Sequence, residues 1–275
     1  MKSKKIIIHI VLIFGVLIFM IPILWTVATS LKTETQIQDI SSLRRIIIPE
    51  PAVFKNYIKT LTYIDFPKYF LNSTIVTLLS IVGSLISCTM VAYSFARLRW
   101  PGRDIIFLIV LSTMMLPAQV TMIPVFLVFK KIHLVNTLFP LFIPSFLGTA
   151  FFIFMLRQFF LTIPKDLEEA AKIDGCGYGG IFLKIMLPLI KPAVLAMIVF
   201  QFMWTWNDFI NPLIYIHDKS KMTLTIGLQA FNLGHGGEWN LIMAASLMMT
   251  IPVLVLFFVA QRYFIEGITL TGIKG

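Results

Sequence analysis

Charge is scarce in this chain. Only 13% of its 275 residues are Asp, Glu, Lys or Arg, whereas soluble domains average about 25%. Hydrophobic residues make up 58%, and a soluble globule of this size needs far more polar surface to meet water. Only two cysteines are present. This composition excludes a soluble enzyme, a disordered chain and a disulfide-rich secreted domain, and leaves an integral membrane protein.

The few charges are mostly basic, and they give a net charge of +10. In a soluble protein such an excess favours nucleic-acid binding. In a membrane protein it is better explained by basic loops that hold the spans in orientation. We therefore expect membrane lipid, and no nucleic acid, among the partners.

The sequence also lacks the motifs of common chemistries. It has no G-x-x-x-x-G-K-[ST] phosphate loop, no H-E-x-x-H zinc motif and no cluster of Cys and His. We expect no catalytic residue, no metal site and no cofactor in this chain. Two alternatives stay open: a secondary transporter, which would need ionisable residues within its spans, and an integral membrane enzyme, which would need clustered acids, bases or metal ligands.

Long uncharged runs predict six membrane-spanning helices, because about 20 helical residues cross a hydrocarbon core of about 30 Å. The expected spans cover residues 6–30, 70–95, 105–128, 135–156, 193–213 and 240–261. The first run is longer than a signal peptide's apolar region and lacks a clear cleavage site, so we expect this span to be retained. The fold class is therefore all-α, with a single polytopic domain over residues 1–275.

Loop charges predict the orientation. With the N-terminus in the cytoplasm, the inner segments hold 13 Lys and Arg in 62 residues, and the outer segments hold 10 in 77. This bias agrees with the rule that inner loops are more basic. Both termini are then cytoplasmic, as are a loop at residues 161–191 and a tail at 262–275, while residues 32–68 form a small external lobe.

The loop at residues 161–191 has the pattern of two short helices joined by glycines. Glu168 and Lys172 are an i,i+4 pair, and Gly175 suits a left-handed helix stop. One face of the first helix carries Leu167, Ala170, Ala171 and Asp174. A second helix is expected from Ile181 to Leu187, ended by Pro188. Two interpretations remain open from the residues alone: a knob for a cytoplasmic partner, or a hairpin on the lipid headgroups.

A family resemblance separates these two interpretations. The loop contains Glu169-Ala170-Ala171, then Gly175 after three residues, Ile185 after nine more, and Leu187-Pro188. This spacing resembles the EAA loop of ABC importer permeases, and Asp174 fits the same pattern. The resemblance implies a type I ABC importer permease fold in the cytoplasmic membrane of a prokaryote. It implies that this loop couples the chain to two separate ATPase subunits, which bind the ATP.

Other segments are similar to the carbohydrate, or maltose-type, branch of that family. They are Asn56-Tyr57, Asn72-Ser73, Ala96-Arg97-Leu98, Trp206-Asn207 and Pro252. The ending with Gly272, Lys274 and Gly275 resembles the tail of the branch's G-type permease subunits, which reaches the ATPases. The resemblance implies sugar or oligosaccharide import, a second and different permease subunit, and an extracytoplasmic sugar-binding protein.

Polar residues within apolar runs are the candidates for a substrate pathway. We expect Asn72, Ser73, Gln119 and Asn207 to line it, and Gln201 is a further candidate. Trp204 and Trp206 suit either sugar stacking or the aromatic belt at the membrane interface, and the belt is the simpler interpretation.

Overall fold

A computed structural model of the chain describes residues 2–229 and 238–271, and no strand occurs in these two ranges. Four long helices are α1 (Lys2–Ser30), α5 (Phe66–Arg97), α13 (Lys191–Trp206) and α16 (Trp239–Thr271). The other helices are α2 (Glu34–Gln38), α3 (Leu43–Ile47), α4 (Lys55–Tyr63), α6 (Arg103–Ser112), α7 (Ala118–Lys131), α8 (Phe139–Phe142), α9 (Ala150–Thr162), α10 (Asp166–Ile173), α11 (Tyr178–Ile181), α12 (Leu187–Leu189), α14 (Ile210–Tyr215) and α15 (Leu224–Gly227).

Four helical stretches are long and apolar enough to cross a membrane. They are Lys5–Ser30, Phe66–Arg97, Phe139–Thr162 and Trp239–Gln261. Two further candidates are bent helix pairs, Arg103–Met115 with Ala118–Lys131 and Tyr178–Leu189 with Lys191–Trp206. The expected number of six spans holds if each bent pair crosses once.

The stretch expected as one span at residues 105–128 is interrupted. Its two halves meet at an angle of 103°. Leu116 is extended there, with φ −78° and ψ 121°, because the ring of Pro117 disfavours the helical conformation in the residue before it. Pro124 lies inside α7 without ending it. The chain therefore turns sharply where uncharged sequence alone predicts a straight helix.

Two compact units share these helices. One comprises the chain up to Phe70 together with Ile226–Pro252, and the other comprises Leu71–Thr225 with the chain from Val253 onward. The sequence-based boundary of a single domain over residues 1–275 stays a prediction.

In the first unit, the lobe at residues 32–68 is tied to the end of α1. The side-chain amide of Asn56, which is 1% exposed, donates to the carbonyls of Ser30 and Lys32 at 2.8 Å each. The hydroxyls of Tyr57 and Ser30 are 2.9 Å apart. Thr33 begins α2 with a capping box that includes Gln36. Asn56-Tyr57 therefore fixes where the lobe leaves the membrane helix.

In the second unit, the core lies along one face of α9. Phe152, Leu156 and Phe160 recur every four residues and are each 0% exposed, which places them on one side of the helix. Cys88 on α5 and Met186 are equally buried in the same cluster. This core holds the segment from α9 to α12, which contains the candidate site.

Candidate functional site

The first helix of the 161–191 loop is α10, and it ends in a Schellman motif. The backbone N–H of Cys176 donates to the Ala171 carbonyl at 2.9 Å, and that of Gly175 donates to Lys172 at 3.0 Å. Gly175 has φ +81°, a left-handed conformation that costs glycine little. The expected helix stop at Gly175 is therefore confirmed.

The faces of α10 differ from the expected pattern. Glu168 and Ala171 are the buried residues of the helix, at 7% and 6% exposure. Glu169 and Ala170 are exposed, and Ile173 is 86% exposed. The predicted face of Leu167, Ala170, Ala171 and Asp174 is thus split, because Ala171 packs into the protein core. Glu169, Ala170 and Ile173 are solvent-exposed neighbours on the helix, and we call them the outward face.

Glu168 does not form the expected pair with Lys172. Its carboxylate lies 3.1 Å from the Nε of Arg97, and the two side chains are 9% and 3% exposed. The same guanidinium donates through Nη2 to the carbonyl of Ile163. Lys172 lies over the ring of Tyr178, 5.4 Å from its centroid. The Arg97–Glu168 pair was missed from the sequence because its partners are 71 positions apart in the printed chain.

The second helix of the loop is longer than expected. It begins at Tyr178 and runs to Leu189, through a π-helical stretch at Phe182–Met186. Pro188 was expected to end it but lies inside α12. The wider π turn just before Pro188 relieves the clash between the proline ring and the preceding turn. Ile185 and Leu187 are half-buried against the core, and Pro188 is exposed.

A basic cleft of about 670 Å³ lies beside α10. Its lining includes Arg99, Arg103, Lys165 and Lys172, together with the outward-facing Glu169. Arg103 forms an ion pair with Asp104, in which Nε lies 2.9 Å from Oδ1. The cleft would suit an acidic surface, because cations there outnumber the acids.

Two of the expected pathway residues are held by the backbone of the chain itself. The amide of Asn72 donates to the carbonyls of Ser220 at 3.2 Å and Met222 at 2.9 Å. The hydroxyl of Ser73 accepts from the N–H of Leu224 at 2.9 Å. Both side chains are buried. They fasten the start of the second span to the segment at residues 220–224.

The other two expected pathway residues are exposed. Gln119 lies in the first turn of α7, and Asn207 follows the last residue of α13, where its amide donates to the Met203 carbonyl at 2.8 Å. Asn72 and Ser73 are buried, whereas Gln119 and Asn207 are exposed. The four side chains therefore do not line one common pathway surface. The pathway assignment stays a prediction.

The two tryptophans have different environments. Trp206 is 3% exposed and stacks on Phe202 with ring centroids 5.4 Å apart. The belt assignment is therefore wrong for Trp206, because packing removes its ring from the surface. Trp204 is 48% exposed and stacks on Phe152 at 4.8 Å.

The remaining expectations concern the tail and metals. Gly272, Lys274 and Gly275 lie outside the described residues, and α16 continues as helix to Thr271. Within residues 2–229 and 238–271, no group of three or more His, Cys, Asp or Glu side chains is placed to hold a metal ion.

Known proteins resemble this chain over nearly its full length. A family model described as binding-protein-dependent transport system inner membrane component matches residues 85–269. The arabinooligosaccharides transport system permease protein AraQ of Halalkalibacterium halodurans is 35% identical over 263 residues, which is 95% of this chain and 94% of that protein. The diacetylchitobiose uptake system permease protein NgcG of Streptomyces coelicolor is 33% identical over 258 residues, covering 92% and 84%.

A solved structure has the same fold. It is the crystal structure of a bacterial ABC transporter involved in the import of the acidic polysaccharide alginate. One of its chains superposes with a TM-score of 0.84 at 25% identity, over 96% of this chain and 97% of that one.

Proposed function

The chain belongs to the family of binding-protein-dependent transport system inner membrane components, and on that premise we propose that α10 is the surface through which a separate ATPase drives it. Family members are membrane permeases of ABC importers, so this chain is a transport subunit and not an enzyme. The proposal specifies how the subunit receives energy, which sugar class it moves and how it lies in the membrane.

The observation that carries the coupling proposal is the outward face of α10. The helix is anchored by Glu168 and Ala171 and leaves Glu169, Ala170 and Ile173 toward solvent. Two large aliphatic residues of this short helix are exposed, Ile173 at 86% and Leu167 at 44%, and a partner that covers α10 would remove them from solvent. Ala170 is small enough for another backbone to approach closely. The basic cleft beside Glu169 adds complementarity to acidic groups on the ATPase.

The substrate proposal is a sugar or oligosaccharide. Two relatives are named for arabinooligosaccharides and diacetylchitobiose, and the structural relative belongs to an alginate importer. An extracytoplasmic binding protein delivers the sugar, a second permease of different sequence completes the passage, and two ATPases bind ATP. Both termini and α10 lie on the cytoplasmic side, as the distribution of Lys and Arg favours.

The experiment starts from the intact complex, purified from membranes through a tag on this chain. Mass spectrometry of the complex should identify a second permease and an ATPase. In proteoliposomes supplied with the binding protein, oligosaccharide uptake should require enclosed ATP and survive collapse of ion gradients by ionophores. Uptake that persists without ATP and stops with ionophores would establish a secondary transporter instead.

A further inference from the structure

The helix α10 has a buried ion pair at its start and a glycine-rich turn after its end. At its start, the carboxylate of Glu168 forms a buried ion pair with Arg97, 3.1 Å from Nε, in a geometry that is not a hydrogen bond. After its end, Gly175, Gly177 and Gly179 each have open space where a side chain would lie. Glycine-rich backbone is the most flexible kind. Movement of α10 therefore has two routes, one toward α5 and α9 through Arg97, and one toward α11 through the glycine turn and the contact of Lys172 with Tyr178.

Arg97 connects three elements. It is the last residue of α5, it pairs with Glu168 in the first turn of α10, and it donates to Ile163, which caps the end of α9. One guanidinium thus joins the ends of two membrane helices to the candidate coupling helix. The guanidinium of Arg97 serves two partners at once, since Nη2 donates to Ile163 while Nε lies beside Glu168, whereas lysine offers a single mobile ammonium.

Stability alone accounts poorly for this pair. Burying two charges costs desolvation energy that their attraction roughly offsets, so apolar residues of similar size often serve as well. What the pair adds over apolar packing is charge attraction, because displacing either side chain alone leaves the other charge buried without its partner. Glu168 also directly precedes Glu169 of the outward face, so any displacement of that face carries Glu168 with it.

We propose that Arg97 and Glu168 are positioning residues that pass movement of α10 to the ends of α5 and α9. The pair offers little surface for direct contact, since its side chains are 3% and 9% exposed at the edge of the basic cleft. It makes α5, α9 and α10 move as one body during transport. This inference rests on the proposed function, because it requires α10 to be the surface that the ATPase moves.

The test compares Arg97→Gln, Glu168→Gln, the double variant and Arg97→Lys in the assembled complex. Each is measured for basal ATP hydrolysis, for hydrolysis stimulated by loaded binding protein, and for sugar moved per ATP. Single variants should keep basal hydrolysis and lose about tenfold in sugar moved per ATP, within the usual range of coupling energies. The double variant should be no worse than either single, and Arg97→Lys should not rescue. Equal loss of hydrolysis and transport, or additive losses, would overturn the proposal.

Two controls separate this inference from the proposed function. Glu50→Gln removes the exposed partner of Arg44 in the lobe and should change nothing. Glu169→Lys should uncouple the complex directly. If Glu169→Lys uncouples and the Arg97 and Glu168 variants do not, only the positioning role fails. If none of them uncouples, the proposed function fails as well.

A distance measurement tests the same idea without altering the pair. Spin labels at Arg99→Cys and Lys165→Cys, with Cys176→Ser, report on the separation of the α5 end from α10. Both positions are exposed, and the remaining Cys88 is buried at 0% exposure. The distance should be the same in the nucleotide-free and ATP-bound complexes. Two different distances would contradict a rigid connection.

Discussion

The hydroxyl of Ser84 donates a hydrogen bond to the side-chain oxygen of Gln201 at 2.9 Å, and this bond links α5 to α13 across 117 residues of sequence. Gln201 in turn donates to the hydroxyl of Thr205 at 2.8 Å. Ser84 is 0% and Gln201 6% exposed. Polar groups in apolar surroundings need partners. Gln201 is therefore an interhelical contact in this conformation rather than a free ligand for sugar.

The Ser84–Gln201 bond predicts coupled effects on stability. Ser84→Ala and Gln201→Leu should each destabilise the purified protein. Their interaction energy in a double-mutant cycle should be about 0.6 kcal/mol and at most about 1.7 kcal/mol, the range for hydrogen bonds between membrane helices. Unfolding in detergent provides the measurement. Strictly additive effects would mean that the two side chains do not interact.

We predict a steric clash when Gly83, the neighbour of Ser84, is replaced by a larger residue. A Cβ added there would lie 2.6 Å from the ring of Phe146. Gly83→Ala should therefore force the ring to move and cost about 1–3 kcal/mol, as overpacking does. Phe146→Ala in the same chain should recover part of the loss in unfolding experiments. If the double variant is no more stable than Gly83→Ala alone, the clash is not the cause.

We predict different effects on stability for alanine substitutions at Asn72 and Gln119. Asn72→Ala removes the hydrogen bonds to the carbonyls of the half-buried Ser220 and Met222, and at about 0.5–1.5 kcal/mol for each bond it should lower stability by about 1–3 kcal/mol. Gln119→Ala removes an exposed side chain and should leave the melting temperature unchanged. Sugar uptake by the Gln119 variant then reports on the pathway without a folding defect. Equal melting temperatures of the two variants would contradict the structural role of Asn72.

We predict that the carboxyl group of Asp39, in the lobe, titrates at an unusually low pH. Hydrogen bonds from Ser41 and then Arg45 lower the pKa of Asp39 from 3.8 to about 2. A lowered pKa means that the ionised carboxylate stabilises the lobe above pH 3.8, and that this contribution is lost as the pH falls through 2. Carboxyl ¹³C shifts of labelled Asp39 should have a midpoint near 2. Arg45→Gln should raise it, whereas Arg44→Gln, which breaks only the neighbouring pair with Glu50, should not.

Local features of the sequence predict much of this structure. Uncharged runs locate the long helices, and Gly175 marks the end of α10, because both depend on residues close together in the chain. The family spacing likewise identifies Glu169 and Ala170, which the structure leaves exposed.

Features that depend on distant residues could not be predicted in this way. Glu168 faces inward because Arg97 lies there, and Trp206 is buried because Phe202 and its surroundings cover it. The helix through Pro188 continues because a π turn adapts to the proline. Periodicity carries no information on which face meets which distant partner, so each of these outcomes needs the folded chain.

If α10 receives the energy for transport, changes to this helix must abolish ATP-driven uptake. The most direct test is ATP-driven oligosaccharide uptake by complexes that contain Glu169→Lys or Gly175→Pro. Gly175→Pro cannot keep φ +81°, because proline fixes φ near −65°. A matched control is Asp65→Lys, which reverses an exposed acid outside α10.

Both α10 variants should insert into the membrane normally and lose most uptake, while the Asp65 control transports like the unaltered chain. Normal uptake by both α10 variants would contradict the account.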